Sequence, residues 1–313
     1  MRNRFAFIIV LAAAAVLARP AVGQEQEAAD RPAVDVYLLA GQSNMQGVGK
    51  VAQLPEAWRG PLPGAHFWNG EAFEVLDAGA TRVSARASDF GPELGFARAL
   101  RLLQPERELH IVKFYRSGQP LHHGWNGNRW VGGDPDANRN NFFPGEEDGD
   151  ANTGNHYKAM LAMARAAFAH LRAEGYEPVL RGIVWMQGEA DAKHEISADE
   201  YAESLAQLKR RIEEDLESEP VPFVFGQVLA HEPALDRFTD RPLLRQRMAQ
   251  ADMRSGDERA VEGVWMVATE GMPLNSDTVH YNAEGMKLLG TAFGVGMLQA
   301  QHALEAAEQA AQE

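Results

Sequence analysis

Short apolar runs recur along the chain, and segments with helical spacing lie between them. The first run, residues 34–40, is apolar and β-branched with little alternation, and it ends at Gly41. A run of this kind predicts a strand that is covered on both faces. Four later runs have the same character, at residues 109–115, 180–186, 221–228 and 263–268. The pattern therefore predicts five buried strands.

Helical patterns separate these strands. Residues 91–100 have proline near the start and apolar residues three and four positions apart, and further helices are expected over residues 156–174, 197–216 and 282–301. Strands that alternate with helices predict a parallel sheet wrapped by helices on both faces. The expectation is an α/β protein with a five-stranded, flavodoxin-like parallel sheet, in a single domain over residues 34–313.

The N-terminal segment has a different character from the rest of the chain. Two arginines precede an apolar stretch over residues 5–17, and Ala21-Val22-Gly23 then offers small residues at the two positions that a signal peptidase reads. This pattern predicts a signal peptide over residues 1–23 and a disordered lead over residues 24–33. The apolar stretch is short for a membrane span, although an uncleaved N-terminal anchor is the alternative interpretation. We therefore expect a secreted or periplasmic protein without membrane contact after signal cleavage.

Composition and charge narrow the chemistry. The 313 residues include no cysteine, which excludes a disulfide framework, a cysteine-ligated zinc site and a thiol nucleophile. The formal charge is -14, and loss of residues 1–23 would remove three arginines and no acid, leaving 27 basic and 44 acidic side chains and a charge of -17. A surface of this sign repels nucleic acid and anionic membranes. It suits a neutral substrate better than a polyanion, although local basic residues could still bind an anion.

Polar side chains follow the predicted strands at their carboxyl ends, where ligands bind in an open parallel sheet. The first strand leads to Ser43, and the fifth leads to Asp277 and His280. A serine hydroxyl needs a base to become a nucleophile, and a neutral imidazole held by a carboxylate is such a base. The sequence predicts Ser43 as the nucleophile, His280 as its base and Asp277 as the carboxylate. Asp252 or Asp257 could supply the carboxylate instead.

Acyl transfer also needs hydrogen-bond donors for the oxyanion. The candidates are the backbone N–H groups of Ser43 and Gly118 and the side-chain amide of Gln187. Gly118 could instead be only a turn glycine, and Gln187 could be a structural amide that ties strand ends together.

A long segment over residues 121–155 is rich in Gly, Asn and Asp, and a loop of this length in a compact domain is usually functional. Its Trp125 and Trp130 could stack on sugar faces, or they could bury the loop against the body of the protein. Arg116, which follows the second strand, could contact substrate or could lie on the surface. These three side chains are the candidate substrate contacts.

Two groups of residues in or beside this segment suggest metal ligands without fitting a standard site. Residues 148–154 faintly resemble a calcium loop, but the glycine is one position late and no glutamate closes the loop. His122, His123 and His156 do not have the spacing of a zinc site. We therefore expect no bound metal.

Five motifs resemble those of the SGNH (GDSL-like) hydrolase superfamily. Within that superfamily, the chain is similar to the sialate O-acetylesterase domain and to carbohydrate esterase family six. The motifs are residues 41–45, the helix start Gly91-Pro92-Glu93, Gly118, the Trp-x-Gln-Gly-Glu-x-Asp block at residues 185–191, and the Asp-x-x-His block at residues 277–280 with Tyr281, Asn282 and Gly285 after it. Ser117 and Gln119 stand where close relatives have Gly and Thr, a departure that bears on the acyl pocket and the substrate.

The resemblance implies a three-layer α/β/α sandwich and an enzyme without a metal or other cofactor. It also implies deacetylation of sugar hydroxyls, so the expected partner is an acetylated carbohydrate. The residues expected to support the site are Gln42, Asn44, Glu189 and Asp191. A paired-carboxylate glycosidase is the alternative role for Glu189 and Asp191, but it leaves the serine block unexplained.

Two other functions stay open at this point. One is an SGNH esterase or lipase that acts on a lipid or another non-carbohydrate ester. The other is a catalytically silent domain that only binds carbohydrate. The complete set of motifs favours a carbohydrate O-acetylesterase, a serine hydrolase that forms an acetyl-enzyme intermediate, over both.

Overall fold

A central sheet organises the described part of the chain. The computed structural model describes residues 31–312, so the predicted signal peptide and most of the predicted lead lie outside the described residues. The strands of the sheet are β1 (Ala33–Gly41), β2 (Gly60–Trp68), β3 (Phe73–Ala78), β4 (Leu109–Tyr115), β5 (Glu177–Met186), β6 (Phe223–Gly226) and β7 (Val264–Val267). Their spatial order is β7-β6-β5-β1-β4-β2-β3. Neighbouring strands are parallel except for β3, which runs antiparallel to β2.

The sheet has seven strands, so the expectation of a five-stranded sheet is wrong on strand number. The five predicted strands are present and adjacent, as β1, β4, β5, β6 and β7. The hairpin of β2 and β3 extends the sheet beyond β4. Its sequence does not form an apolar run, because Pro61, Pro63 and Gly64 interrupt β2. Proline lacks a backbone N–H, and the register of β2 with β3 shifts between Pro61 and His66.

Helices connect the strands, and the structure revises some of the predicted bounds. They are α1 (Ser43–Gln46), α2 (Glu93–Leu103), α3 (Asn155–Ala173), α4 (Glu195–Asp199), α5 (Tyr201–Asp215), α6 (Arg241–Ala251) and α7 (Ala283–Gln312). The helix predicted over residues 197–216 is divided between α4 and α5, and α6 has no counterpart among the predicted helices. Among residues 31–312, no helix is long and apolar enough to cross a bilayer.

Helices cover both faces of the sheet. Trp185 and Met186 are neighbours on β5, so their side chains leave opposite faces. The Trp185 indole lies 3.3 Å from the hydroxyl of Tyr201 on α5. Met186 and Phe293 of α7 both border the space next to Gly226 on the other face. The sheet is therefore enclosed between helical layers, and its strands form the core.

The three central strands end at the same level. In the register of the sheet, Gly41 of β1 is paired with Tyr115 of β4 on one side and with Met186 of β5 on the other. The segments that follow these strands therefore leave the sheet side by side. This edge carries the candidate catalytic residues.

Candidate active site

The turn after β1 presents Ser43 at the start of the short helix α1. Gly41 has a φ of +149°, and a Cβ at that position would lie 2.1 Å from the carbonyl oxygen of Met186. Only glycine fits so close an approach at this φ. The N–H of Gln42 then donates to the same carbonyl at 2.9 Å. The backbone of β5 thus fixes the direction in which the chain turns into α1.

The structure brings Ser43, His280 and Asp277 into contact. The Nε2 atom of His280 lies 2.9 Å from Oγ of Ser43, and its Nδ1 atom lies 2.8 Å from Oδ2 of Asp277. Ser43 is only 8% exposed, yet it borders an open cavity. A hydroxyl, an imidazole and a carboxylate in this order are the arrangement that activates a serine nucleophile.

Asp277 also shapes the turn that carries His280. Its Oδ1 atom accepts the backbone N–H of Val279 at 2.9 Å and that of His280 at 2.8 Å. Partial burial raises the pKa of Asp277, but the hydrogen bonds from His280 and Val279 outweigh it, so the pKa lies below its ordinary value. The carboxylate therefore stays charged beside the imidazole at neutral pH.

Asn44 connects the turn of Ser43 to the turn of His280. Its amide nitrogen donates to Oε1 of Glu189 at 2.8 Å and to the carbonyl of Val279 at 3.1 Å. Its amide oxygen accepts the N–H of Tyr281 at 3.2 Å. Glu189 is buried, and burial raises its pKa despite the hydrogen bond from Asn44. These contacts give Asn44 and Glu189 supporting positions behind the reacting atoms.

A buried ion pair supports the other end of α1. Nζ of Lys113 lies 2.5 Å from Oε2 of Glu93, and it also donates to the carbonyls of Gln46 at 3.0 Å and Val83 at 2.8 Å. All three ammonium hydrogens thus have acceptors, which is the condition under which a buried charge is tolerated. The motif Gly91-Pro92-Glu93 at the start of α2 therefore helps to hold α1 in place through the ion pair of Glu93.

A cavity of about 270 Å³ opens beside Ser43 and His280. Its walls come from segments at the carboxyl ends of β1, β4, β5 and β6 and from the His280 turn. The lining residues are Gln42, Ser43, Ser117, Gly118, Glu189, Ala190, Lys193, Arg237, Phe238, Val279 and His280. The cavity is the space in which a reacting ester could approach Oγ.

Two backbone N–H groups are available to an oxyanion at this cavity. Gly118 has a φ of +69° and borders the cavity together with Ser43. Within residues 31–312, neither the N–H of Ser43 nor that of Gly118 has a hydrogen-bond acceptor. Donors that are already oriented and unpaired suit a developing negative charge.

The chain is also similar to known proteins. A family model described as "SASA: Carbohydrate esterase, sialic acid-specific acetylesterase" matches residues 33–299. The chain belongs to the SASA family of carbohydrate esterases. A comparison with curated proteins gave no match.

Solved structures resemble the fold of this SASA-family chain. A protein of Arabidopsis thaliana is 18% identical with a TM-score of 0.60, and the alignment covers 86% of this chain and 99% of that one. NanS is 15% identical with a TM-score of 0.56, covering 87% and 99% of the two chains. A carbohydrate acetylesterase of Xanthomonas citri is 16% identical with a TM-score of 0.54, covering 86% of this chain and 56% of that one. At these identities the likeness shows the fold alone.

Gln187 does not line the cavity beside Ser43. Its side chain is fully buried, and its amide nitrogen donates to Oδ2 of Asp191 at 2.6 Å and to the carbonyl of Gln119 at 3.2 Å. The hydroxyl of Tyr201 lies 3.1 Å from its amide oxygen. Both amide hydrogens therefore already have acceptors. These contacts fit a structural amide that ties strand ends together rather than an oxyanion donor.

Asp191 attaches the long loop to the end of β5. One carboxylate oxygen accepts the N–H of Leu121 at 2.9 Å, and the other accepts the N–H of His122 at 3.1 Å. Burial raises the pKa of Asp191 to about 6, against the lowering effect of the bonds from Leu121, Gln187 and His122. Its supporting role is thus to anchor the start of the loop.

The three candidate substrate contacts do not line the cavity. Trp125 is 5% exposed and donates to the hydroxyl of Ser197 at 3.0 Å, so it buries the loop against α4. Trp130 stacks on His194 with ring centroids 3.6 Å apart. The Arg116 guanidinium lies over the ring of Phe114 and bonds to the carbonyl of Tyr115. The two tryptophans thus pack the loop against the body of the protein.

The remaining candidate carboxylates are engaged by their own neighbours. Asp252 is bound to Arg254, and Asp257 accepts from Gln250 at 2.9 Å, so both carboxylates are held away from His280. Asp150 turns its carboxylate towards the N–H groups of its own loop. In the described part of the chain, no group of acidic or histidine side chains could hold a metal ion.

Sequence reasoning missed three residues of the cavity wall, Lys193, Arg237 and Phe238. Lys193 ends a short 3-10 helix, Asp191–Lys193, that begins at the last residue of the block at residues 185–191. Arg237 and Phe238 lie between β6 and α6. A search of strand ends that included the segment after β6 would have found both.

Proposed function

We propose that this chain is a carbohydrate O-acetylesterase that works through a Ser-His-Asp triad. The observation that carries the proposal is the series of contacts from Oγ of Ser43 to Nε2 of His280 and from Nδ1 of His280 to Asp277, at 2.9 Å and 2.8 Å. Membership of a carbohydrate esterase family supports an ester as the bond that is hydrolysed and a sugar as the alcohol. Sialic acid, which the family description names, is one acetylated sugar to test.

In the first half of the reaction, His280 removes the hydroxyl proton of Ser43, and Oγ attacks the acetyl carbonyl carbon. The carbonyl oxygen becomes an oxyanion that accepts from the N–H groups of Ser43 and Gly118. Each such donor is typically worth about 3–4 kcal/mol of barrier. The carbon–oxygen bond to the sugar then breaks, and His280 gives its proton to the departing sugar oxygen.

In the second half, His280 removes a proton from water, and the hydroxide oxygen attacks the acetyl-enzyme. The same two N–H groups bind the second oxyanion. When the bond to Ser43 breaks, His280 returns the proton to Oγ and acetate leaves. Asp277 stabilises the imidazolium in both halves. No metal or other cofactor takes part in this scheme, and Gln187 has no step in it because its amide is engaged elsewhere.

The test compares Ser43→Ala with the wild-type protein on 4-nitrophenyl acetate and on an acetylated sugar. We expect Ser43→Ala to lose at least about 10³-fold in kcat because the nucleophile is absent. Ser255→Ala is the matched control, since Ser255 is an exposed serine outside the cavity. A fluorophosphonate should label the wild type and the control but not Ser43→Ala. Undiminished turnover in Ser43→Ala would contradict the mechanism.

The acyl and alcohol specificities need separate measurements. The family description names an acetylesterase, and the cavity beside Ser43 has a volume of only about 270 Å³. We therefore expect acetate esters to be preferred over octanoate esters of the same alcohol. A preference for octanoate would favour a lipase instead. Secretion stays a prediction, which the N-terminal sequence of the exported protein would test.

A further inference from the structure

Two basic side chains, Lys193 and Arg237, line the cavity beside Ser43 and His280. Within residues 31–312, no carboxylate oxygen lies within 4.0 Å of either cation. The Arg237 guanidinium lies over the ring of Phe238, whose centroid is 4.9 Å away. Both charges are thus without an ionic partner at the place where substrate would bind.

Three arginines on helix α6, near this edge of the protein, each have a carboxylate partner. Arg241 binds Glu232 at 2.6 Å, Arg247 binds Asp199 at 2.5 Å, and Arg245 binds Glu270. The whole chain has 44 acidic against 30 basic side chains, so carboxylate partners are plentiful. Lys193 and Arg237 have no such partner, and they are the two cations that line the cavity within the described residues.

The environment of Lys193 favours an external anion. Burial and the positive charge of Arg237 lower the pKa of Lys193, while the buried carboxylates of Asp191 and Glu189 oppose that change. Neither carboxylate reaches the ammonium group, because Asp191 accepts from the loop backbone and Glu189 accepts from Asn44. An anion between Lys193 and Arg237 would relieve their repulsion and would supply the missing partner.

We propose that Lys193 and Arg237 bind an anionic group of the acetylated sugar, either a carboxylate or a sulfate ester. The proposal rests on the proposed function, because it places the sugar in the same cavity as the acetyl group. It makes the two cations specificity-determining residues that select charged sugars over neutral ones. The segments after β5 and β6 supply one cation each, so the two charges converge on the cavity from different elements.

The experiment uses matched substrates that differ in one charge. An acetylated methyl glucuronoside is compared with its uncharged methyl ester, and kcat/KM is measured for each. For the wild type we expect the charged sugar to be preferred, and raised salt to reduce the preference. Loss of one charged hydrogen bond costs roughly 1.5 kcal/mol or more, so Lys193→Met and Arg237→Gln should each lower the preference about tenfold. Arg31→Gln, before β1 at the opposite edge of the sheet, should leave it unchanged.

A third substrate identifies the source of the charge. The same measurement on an acetylated methyl glucoside sulfate shows whether sulfate or carboxylate is the better ligand, and a preference for either over the neutral ester supports the proposal. Equal kcat/KM for charged and neutral sugars in the wild type would overturn it. So would an equal loss on both substrates in Lys193→Met and Arg237→Gln, since that result indicates a structural role.

Failure of this proposal can be told apart from failure of the proposed function. Hydrolysis of 4-nitrophenyl acetate that depends on Ser43 establishes the esterase without any charged group in the substrate. If that activity is present and no charge preference appears, only the role of the two cations is wrong. If that activity is absent, the proposed function is wrong.

Discussion

His280 lies between two oxygen atoms of different chemical character. A carboxylate can only accept a hydrogen bond, so the contact of Nδ1 with Asp277 at 2.8 Å places the imidazole proton on Nδ1. The lone pair of Nε2 then faces the hydroxyl of Ser43 at 2.9 Å. This tautomer is the one that a general base needs, and Asp277 selects it.

The substitution Asp277→Asn tests whether the carboxylate selects the tautomer of His280. Asparagine keeps an oxygen that can accept the N–H groups of Val279 and His280, but it removes the charge and can impose the wrong tautomer on His280. We expect kcat for acetate hydrolysis to fall by about 10³- to 10⁴-fold with little change in the melting temperature. Asp257→Asn is the matched control, and it should retain wild-type kcat. Full activity in Asp277→Asn would show that another group orients His280.

The sequence could anticipate contacts that short motifs specify, but not contacts that depend on packing. Asp277 and His280 share one turn, and Ser43 follows a strand that is readable as an apolar run, so their meeting could be expected. The position of Gln187 could not, because one acceptor of its amide is the carbonyl of Gln119 in a distant segment. Trp125 is similar: its burial against α4 depends on how the whole loop folds back.

At the scale of elements, the turn between β1 and α1 depends on a close approach of two backbones. Gly41 combines a φ of +149° with a site where a Cβ would meet the carbonyl oxygen of Met186 at 2.1 Å. The clash would join Cβ, which the backbone fixes in place, to a backbone oxygen, so side-chain rotation cannot relieve it. The neighbouring strand β5 therefore makes glycine necessary at the position before Gln42 and Ser43.

Gly41→Ala should damage both stability and catalysis. Either β1 and β5 separate locally or the turn moves Ser43 away from His280, and we expect a loss of more than about 3 kcal/mol in the free energy of unfolding, or no soluble protein. Gly70→Ala is the matched control, because Gly70 has a φ of +107° but no atom within 4 Å of an added Cβ. Unfolding in urea would compare the two, and the control should lose only about 1–2 kcal/mol from backbone strain. Equal losses would contradict a steric role for Met186.

The elements that the sequence predicts are those with both faces covered. The strands β1, β4, β5 and β6 lie inside the sheet and β7 forms one of its edges, and all five are continuous apolar runs. The hairpin of β2 and β3 lies beyond them, and its β3 has only one sheet neighbour. Alternating exposure and the prolines in β2 hide it from a search for apolar runs. This hairpin, rather than every edge strand, is thus the part of the sheet that periodicity describes least well, because the edge strand β7 is among the predicted strands.

At the scale of the whole molecule, the net charge favours a neutral substrate, whereas the charges at the cavity favour an anionic one. A formal charge of -14 by itself favours a neutral substrate. Net charge governs solubility and long-range attraction, whereas binding depends on the charges that line the cavity. There the basic groups are Lys193 and Arg237, without ionic partners in the described residues. The net charge of the protein therefore does not exclude an anionic sugar from a cavity that two cations line.

The buried histidines predict that the stability of the protein depends on pH. His110 on β4 is 7% exposed and stacks on His66 with ring centroids 4.7 Å apart. Burial and the neighbouring His66 lower the pKa of His110 from 6.5 to about 4. Between these values the unfolded chain binds the proton and the folded chain does not. The stability that the neutral form contributes is therefore complete above pH 6.5 and is lost as the pH falls towards 4.

His110→Phe should reduce this dependence, because phenylalanine keeps an aromatic ring against His66 and cannot be protonated. A pKa difference from 6.5 to about 4 corresponds to at most about 3 kcal/mol. Between pH 7 and pH 4 the free energy of unfolding of the wild type should therefore fall more than that of His110→Phe, by up to this amount. Urea unfolding at several pH values measures the slope, and the slope rather than the absolute stability is compared, since the substitution also changes a side chain that is buried in the fold. His302→Gln, at an exposed position on α7, is the matched control. Parallel pH profiles for His110→Phe and the wild type would assign the acid sensitivity to other groups, with His156, whose pKa is lowered to about 4 by burial and Arg116, as the next to substitute.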